Sequence, residues 1–238
     1  MHEFAELVSE VREQSFDSDR RRYHRFRYSS HDNTVVADCV GSNLRCAHEW
    51  GWCEGILDDP AAGQLHTPGK VVERLEELAD DHGTRTARFS GMEPVIGDDH
   101  LVRTLERLDS QGFEVRIDTN GMLLDESYAE RLETAATPGV RLSFKGSNPE
   151  NFSKLARIAP EHFQRQIDAF QACIDAGIDL EPVLAGVYGE EERAELSQRL
   201  GSIDREAAER LTVEPLHLCP ANRQKLEDAG FDLDDMLV

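Results

Sequence analysis

Apolar residues recur at helical spacing near the start of the chain, where Phe4, Leu7, Val8 and Val11 share one stripe of residues 2–15. That period predicts an amphipathic helix. The next stretch, DSDRRRYHRFRYSSHDN, is polar and rich in arginine and aromatics. It reads as a covering segment or a short extended arm. From residue 34 the pattern changes to short apolar runs that alternate with helical ones. The runs at 34–38, 86–89, 114–118, 140–144 and 180–184 predict strands, with a weaker one at 211–216. The helical patterns between them cover 70–81, 98–111, 126–135, 161–176 and 190–200. Gly177 follows the fourth of these, a stop signal of the expected kind. Strands alternating with helices predict an α/β fold with a parallel sheet, wound as a partial barrel or left open. The expected organisation is a helix and covering segment over 1–33, one α/β domain over 34–230, and an acidic tail, 231–238.

Each distinctive motif falls just after a predicted strand. The first strand runs into VGSNLRCAHEWGWCE, where Cys39, Cys46 and Cys53 lie within fifteen residues together with His48, Glu49, Trp50 and Trp52. Thiolates, an imidazole and a carboxylate at a strand end point to a metal or iron–sulfur loop. Ser90-Gly91-Met92-Glu93-Pro94 follows the second strand, Thr119-Asn120-Gly121 the third, and Lys145-Gly146-Ser147 the fourth. Parallel strands all end on one face, so four scattered motifs are expected to meet there.

This order of motifs, closing on SFKGSNPE, resembles the radical S-adenosylmethionine superfamily. It is most similar to an archaeal branch with a VGCNLRCxxCW loop, an SGGEP turn, a TNG strand end and an SLKGTNPEEF segment. The resemblance covers about 23–230 and implies a partial (β/α)6 barrel. It also implies a 4Fe–4S cluster held by three cysteines spaced C-x-x-x-C-x-x-C. S-adenosylmethionine would chelate the fourth iron, and an electron from the cluster would cleave it to a 5′-deoxyadenosyl radical. By position the three ligands fall on Ser42, Cys46 and Glu49, while Gly41, Asn43, Leu44, Arg45 and Trp50 match. Met92 stands in place of the turn's second glycine, and Glu93 and Pro94 match.

The resemblance further implies that the turn Ser90 to Glu93 approaches the amino group of S-adenosylmethionine. Asn120 and Ser143 would lie by its ribose and carboxylate, Lys145 would meet a carboxylate, and His48 would stack on the adenine or act as a ligand. With two thiolates replaced, the expected protein is a divergent member whose cluster is lost or weakened. The alternatives are an active enzyme with rearranged ligands (Cys39, Cys46 and Cys53, with His48 as a fourth donor) and a zinc site of Cys46, Cys53, His48 and Glu49. A Schiff-base lyase acting through Lys145 is a further alternative.

The resemblance implies a small-molecule substrate or nucleoside as partner, and charge bears on the other classes. Acidic residues number 47 against 26 basic ones, a formal charge of −21, and only Lys70, Lys145, Lys154 and Lys225 are lysines. Phosphate backbones need a net basic face, so nucleic acid is not an expected partner. No apolar run approaches the length of a membrane span, and the first residues form no apolar leader, so a cytoplasmic location is expected. There the thiols are expected to be ligands or core residues rather than disulfides. The acidic, lysine-poor composition matches adaptation to a high-salt cytoplasm. It predicts a melting temperature that rises from roughly 0.1 M to multimolar potassium chloride, as the screening length shrinks from about 10 Å at 0.1 M to about 3 Å at 1 M. Thermal unfolding across that range checks it, and identical midpoints would remove the high-salt reading.

Overall fold

The computed structural model describes residues 4–57, 59, 62–136 and 138–233. Helix α1 (Phe4–Ser15) turns Phe4, Leu7 and Val11 inward, as its period requires. The arginine-rich segment that follows is not a loose cover. It forms β1 (Phe16–Asp17) and the long β2 (Arg20–Ser29), which pairs antiparallel with β3 (Thr34–Cys39). Arg21 and Tyr23 are its buried positions, and Arg25 and Arg27 bind Asp38 across the strand pair. Its alternation is therefore that of a strand, carried by long polar side chains instead of aliphatic ones. β4 (Gln64–His66) pairs with the other side of β2.

The alternating part follows its predicted order. It comprises α2 (Pro68–His82), β5 (Thr86–Gly91), α3 (Asp98–Ser110), β6 (Glu114–Thr119), α4 (Glu126–Ala136) and β7 (Gly139–Phe144). Next come α5 (Pro149–Ala156), α6 (Phe163–Asp175), β8 (Leu180–Ala185), α7 (Glu190–Gly201), α8 (Arg205–Glu209), β9 (Thr212–Glu214) and α9 (Pro220–Asp228). Helix α5 was not expected, although Asn148 caps it through the Asn151 N–H and Pro149 opens it. Gly177 ends α6 in the left-handed region at φ 72°. Of the expected acidic tail, residues 234–238 lie outside the described residues. Phe231, at its start, packs edge-on against Tyr188 beneath the Lys154 ammonium.

Strands β3, β5, β6, β7, β8 and β9 are parallel neighbours in chain order. A parallel crossover is right-handed, so strands that always step the same way carry their helices on one face and curl the other inward. That is a partial (β/α)6 barrel, with β2 extending its first edge. The register separates the two faces. Phe89, Ile117, Val140 and Leu180 align across four strands and bury under the helices, against side chains such as Leu105, Leu132 and Phe170. On the inner face Asp118, Arg141 and Glu181 align instead, one residue along. Arg88 stands 3.8 Å from Asp118 there, and Arg141 lies 2.6 Å from Glu214. The concave side is polar, and its upper end becomes the site.

His100, in the first turn of α3, packs beside Tyr23 and Phe16 and is 6% exposed. Its Nε2 lies 3.0 Å from the His66 carbonyl, while Nδ1 is buried without a partner. Burial pulls its pKa down to about 4. The folded value is thus depressed below the unfolded one, near 6.5. The unfolded chain binds the extra proton in that window, so this stability is present above about pH 6.5 and lost as pH falls toward 4. Denaturant titrations at pH 7 and pH 4.5 are expected to differ by on the order of 2–3 kcal/mol from this residue. His100→Gln, which keeps a donor for His66, should flatten that part of the slope.

Candidate functional site

A cleft of about 170 Å³ opens at the C-terminal ends of the parallel strands. Ser90, Gly91, Met92, Glu93, Asn120, Ser143, Lys145 and His48 all line it, as does Glu49. The alignment of strand ends therefore brings the four motifs together. Thr119, of the third motif, lines it as expected, and Asp118, Arg141, Glu214 and His217 line it too and carried no expectation from the sequence. Arg141 was legible in principle, since it alternates with the buried Val140, Leu142 and Phe144 on the same side as the expected Ser143.

Glu93 does not reach toward the cleft as a free carboxylate. Its Oε1 accepts from the Thr119 hydroxyl at 2.7 Å and the Val95 N–H at 3.1 Å, and its Oε2 accepts from the Asn120 N–H at 2.8 Å. Burial raises its pKa, against the pull of these donors. It ties the turn after β5 to the turn after β6. Behind it, the guanidinium of Arg21 donates to the carbonyls of Glu93, at 2.6 Å, and Pro94. Gly91 has φ +92°, and a Cβ there would come within 2.7 Å of the Cys39 nitrogen, so the turn requires glycine. The Gly91 carbonyl accepts from the Trp50 indole at 3.2 Å. Met92 turns toward Gly51 and packs with Ile56 and Leu57 under the cysteine loop.

A second fastener was also missed. Gln166, wholly buried on α6, donates to the carbonyls of Asn120 and Ser143 and accepts from the Lys145 N–H. Asn120 in turn donates to the Asn43 side chain at 2.7 Å, which anchors the cysteine loop.

The proposed metal ligands separate. Cys39 is buried at the end of β3, where burial pushes its pKa up to about 11. Ser42 is buried, and its hydroxyl accepts from the Leu44 N–H at 3.2 Å. Cys53 is bonded to Cys219, contrary to the expectation of free thiols. Cys46 remains a buried thiol, and burial raises its pKa strongly. It donates to Glu49, whose own pKa is raised by burial. Lys145 faces this pair and donates to the Ser143 hydroxyl at 2.9 Å. Burial pulls its pKa down, but Glu49, Cys46, Glu214 and Glu93 outweigh that and raise it. A protonated ammonium is no nucleophile, so the lyase alternative lacks the free amine it requires. His48 is kept neutral by burial and then by Lys145, and its Nδ1 is buried without a partner.

The chain belongs to the radical SAM superfamily, whose profile matches residues 43–200. It is 36% identical over 150 residues to a probable GTP 3′,8-cyclase of Methanothermobacter thermautotrophicus, covering 63% of this chain and 47% of that one. The chain thus spans about half the length of that curated relative. Streptococcus suis SuiB bound to S-adenosylmethionine matches the fold at TM-score 0.58 and 18% identity, covering 79% of this chain and 44% of that one. TsrM from Kitasatospora setae, with cobalamin and a [4Fe-4S] cluster bound, matches at TM-score 0.55 and 17% identity, over 86% and 40% of the two chains.

The superfamily's cluster does not fit the residues that this chain places at the loop. A cubane needs thiolates, and Cys46 is the one thiol among the three ligand positions. Neither substitute is available, with Cys39 held in the core beside Tyr23 and Cys53 in a disulfide. Zinc fares no better: among the described residues, no three His, Cys, Asp or Glu side chains stand where they could hold a metal.

The fasteners can be tested by substitution. Arg21→Met is expected to cost about 3 kcal/mol, because two buried carbonyls lose a charged donor. Chemical denaturation would measure it, and a loss under about 0.5 kcal/mol would remove Arg21 from the frame of the site.

Proposed function

We propose that this chain is a cluster-free member of the superfamily, one that binds a small polar molecule of the nucleoside or amino-acid class without radical cleavage. The observation that carries this reading is the assembly at the cluster loop, where the Cys46 thiol is tied to the Glu49 carboxylate and the Lys145 ammonium, bonded to the Ser143 hydroxyl, faces both. Such a set offers iron a single thiolate, and deprotonating that thiol in a buried setting is costly. The binding half rests on the cleft. Trp50, Met92 and Leu216 supply apolar wall, while Asp118 Oδ1 and His48 Nδ1 are buried polar atoms that no protein group satisfies, although Ser90 bonds the Asp118 carboxyl. A ligand with hydroxyl or ammonium donors would satisfy them. Among the described residues no helix is long and apolar enough to cross a membrane, which is compatible with action in the cytoplasm.

Anaerobic reconstitution with iron and sulfide is the direct test. The natural chain is expected to hold far less than one cluster, whereas Ser42→Cys with Glu49→Cys should bind about four irons and gain absorption near about 400 nm. Either single change should do little. A full cluster on the natural chain, lost on Cys39→Ala or Cys53→Ala, would establish the rearranged enzyme instead. Calorimetric titration with S-adenosylmethionine tests the binding half, which fails if no saturable heat appears and Asp118→Asn changes nothing.

A further inference from the structure

The Cys53–Cys219 bridge spans 166 positions and joins two walls of the same cleft. On one side lies the loop that carries His48, Glu49 and Trp50; on the other, Glu214 at the end of β9 and the irregular run after it, which carries Leu216 and His217. Cys219 is also the residue that begins α9. We propose that this disulfide is a redox latch on the cleft: oxidised, it clamps residues 215–219 and α9 over the mouth, and reduction by a dithiol lets that wall move away.

Three observations carry it. First, α9 reaches the cysteine-loop wall through two side chains, the buried Asn222 and the Lys225 ammonium. The Asn222 amide donates across the cleft to the His48 carbonyl, at 3.2 Å, and on its own side to the His217 carbonyl, at 2.7 Å. The Lys225 ammonium sits 3.8 Å from the centre of the Trp52 ring. Second, α9 has a thin hold on the body. Asn222 and Leu226 are its buried residues, and the β9 that precedes it is three residues long. Short irregular segments with few buried apolar contacts belong to the low-stability end of a fold, so a covalent tie controls whether this one opens. Third, the clamped cleft is small. At about 170 Å³ it falls below the roughly 300–1,000 Å³ usual for small-molecule sites. A nucleoside-sized ligand requires the wall to yield. The reaction is balanced by the dithiol: its two electrons break the S–S bond, two protons complete the Cys53 and Cys219 thiols, and the dithiol closes to its own disulfide.

Amide hydrogen exchange on the full chain, oxidised and after dithiothreitol, tests the latch without any ligand, so it stands or falls apart from the binding proposal. Residues 215–228 and 48–57 are expected to exchange about tenfold faster or more after reduction, with β5 to β7 unchanged. Trp50 and Trp52 are the only tryptophans, so acrylamide quenching of intrinsic fluorescence reports this loop alone and should rise in parallel. Cys53→Ser and Cys219→Ser should each reproduce the reduced behaviour without reductant. Equal exchange and quenching in both states would overturn the latch. Exchange that rises equally in β5 to β7 would also overturn it, by making the bridge a support of the whole fold. Five free thiols in the denatured, unreduced protein would overturn it outright.

Discussion

The upper face of this barrel depends on one carboxylate. Glu93 gathers a hydroxyl and two backbone amides from the turns after β5 and β6, and its own carbonyl is held from behind by Arg21. Parallel strands supply no hydrogen bonds between their outgoing loops, because the ladder ends where the strands do. Something else must hold those loops in register, and here it is a set of buried polar side chains. Each is satisfied by several backbone groups at once, which keeps the arrangement rigid. Gln166 does the same for the turns after β6 and β7. The cleft is thus a gap in a lattice of fasteners, and the part of it built by the ends of β5, β6 and β7 is held by bonds that lie outside the cysteine loop.

The same logic explains how a cluster loop can lose its ligands and keep its fold. Leu44, Cys46 and Ala47 belong to the main apolar core, and Asn43 is tied to Asn120. The loop backbone is held by packing and amides rather than by metal. Where thiolates are missing, Glu49 and Lys145 provide opposite charges that partly offset one another's desolvation.

The sequence made the repeating βα units plain because each inner strand buries aliphatic side chains at every second position. Their strand ends converge by topology alone, which is why the cleft's main lining was within reach. What escaped notice was polar. β2 alternates with arginine and tyrosine, so a search for aliphatic periodicity passes over it, and Arg21 went unseen with it. Gln166 looks like an ordinary helix residue until its three partners are in view. The disulfide was beyond reach for another reason. Its cysteines lie at opposite ends of the α/β unit, and an odd number of cysteines in a chain expected to be cytoplasmic argued against pairing.

That bridge also alters how the chain responds to being pulled. Tension applied at its two ends would pass from residue 53 directly to residue 219 through the sulfurs, and the long enclosed segment, β4 to β9, would carry none of it. An unfolding machine that threads polypeptide through a narrow pore would meet not a single strand but a closed loop, two strands wide. Extraction would stall at the bridge while it stayed oxidised, and the barrel strands within the loop, β5 to β9, would be shielded from mechanical unfolding until a reductant arrived.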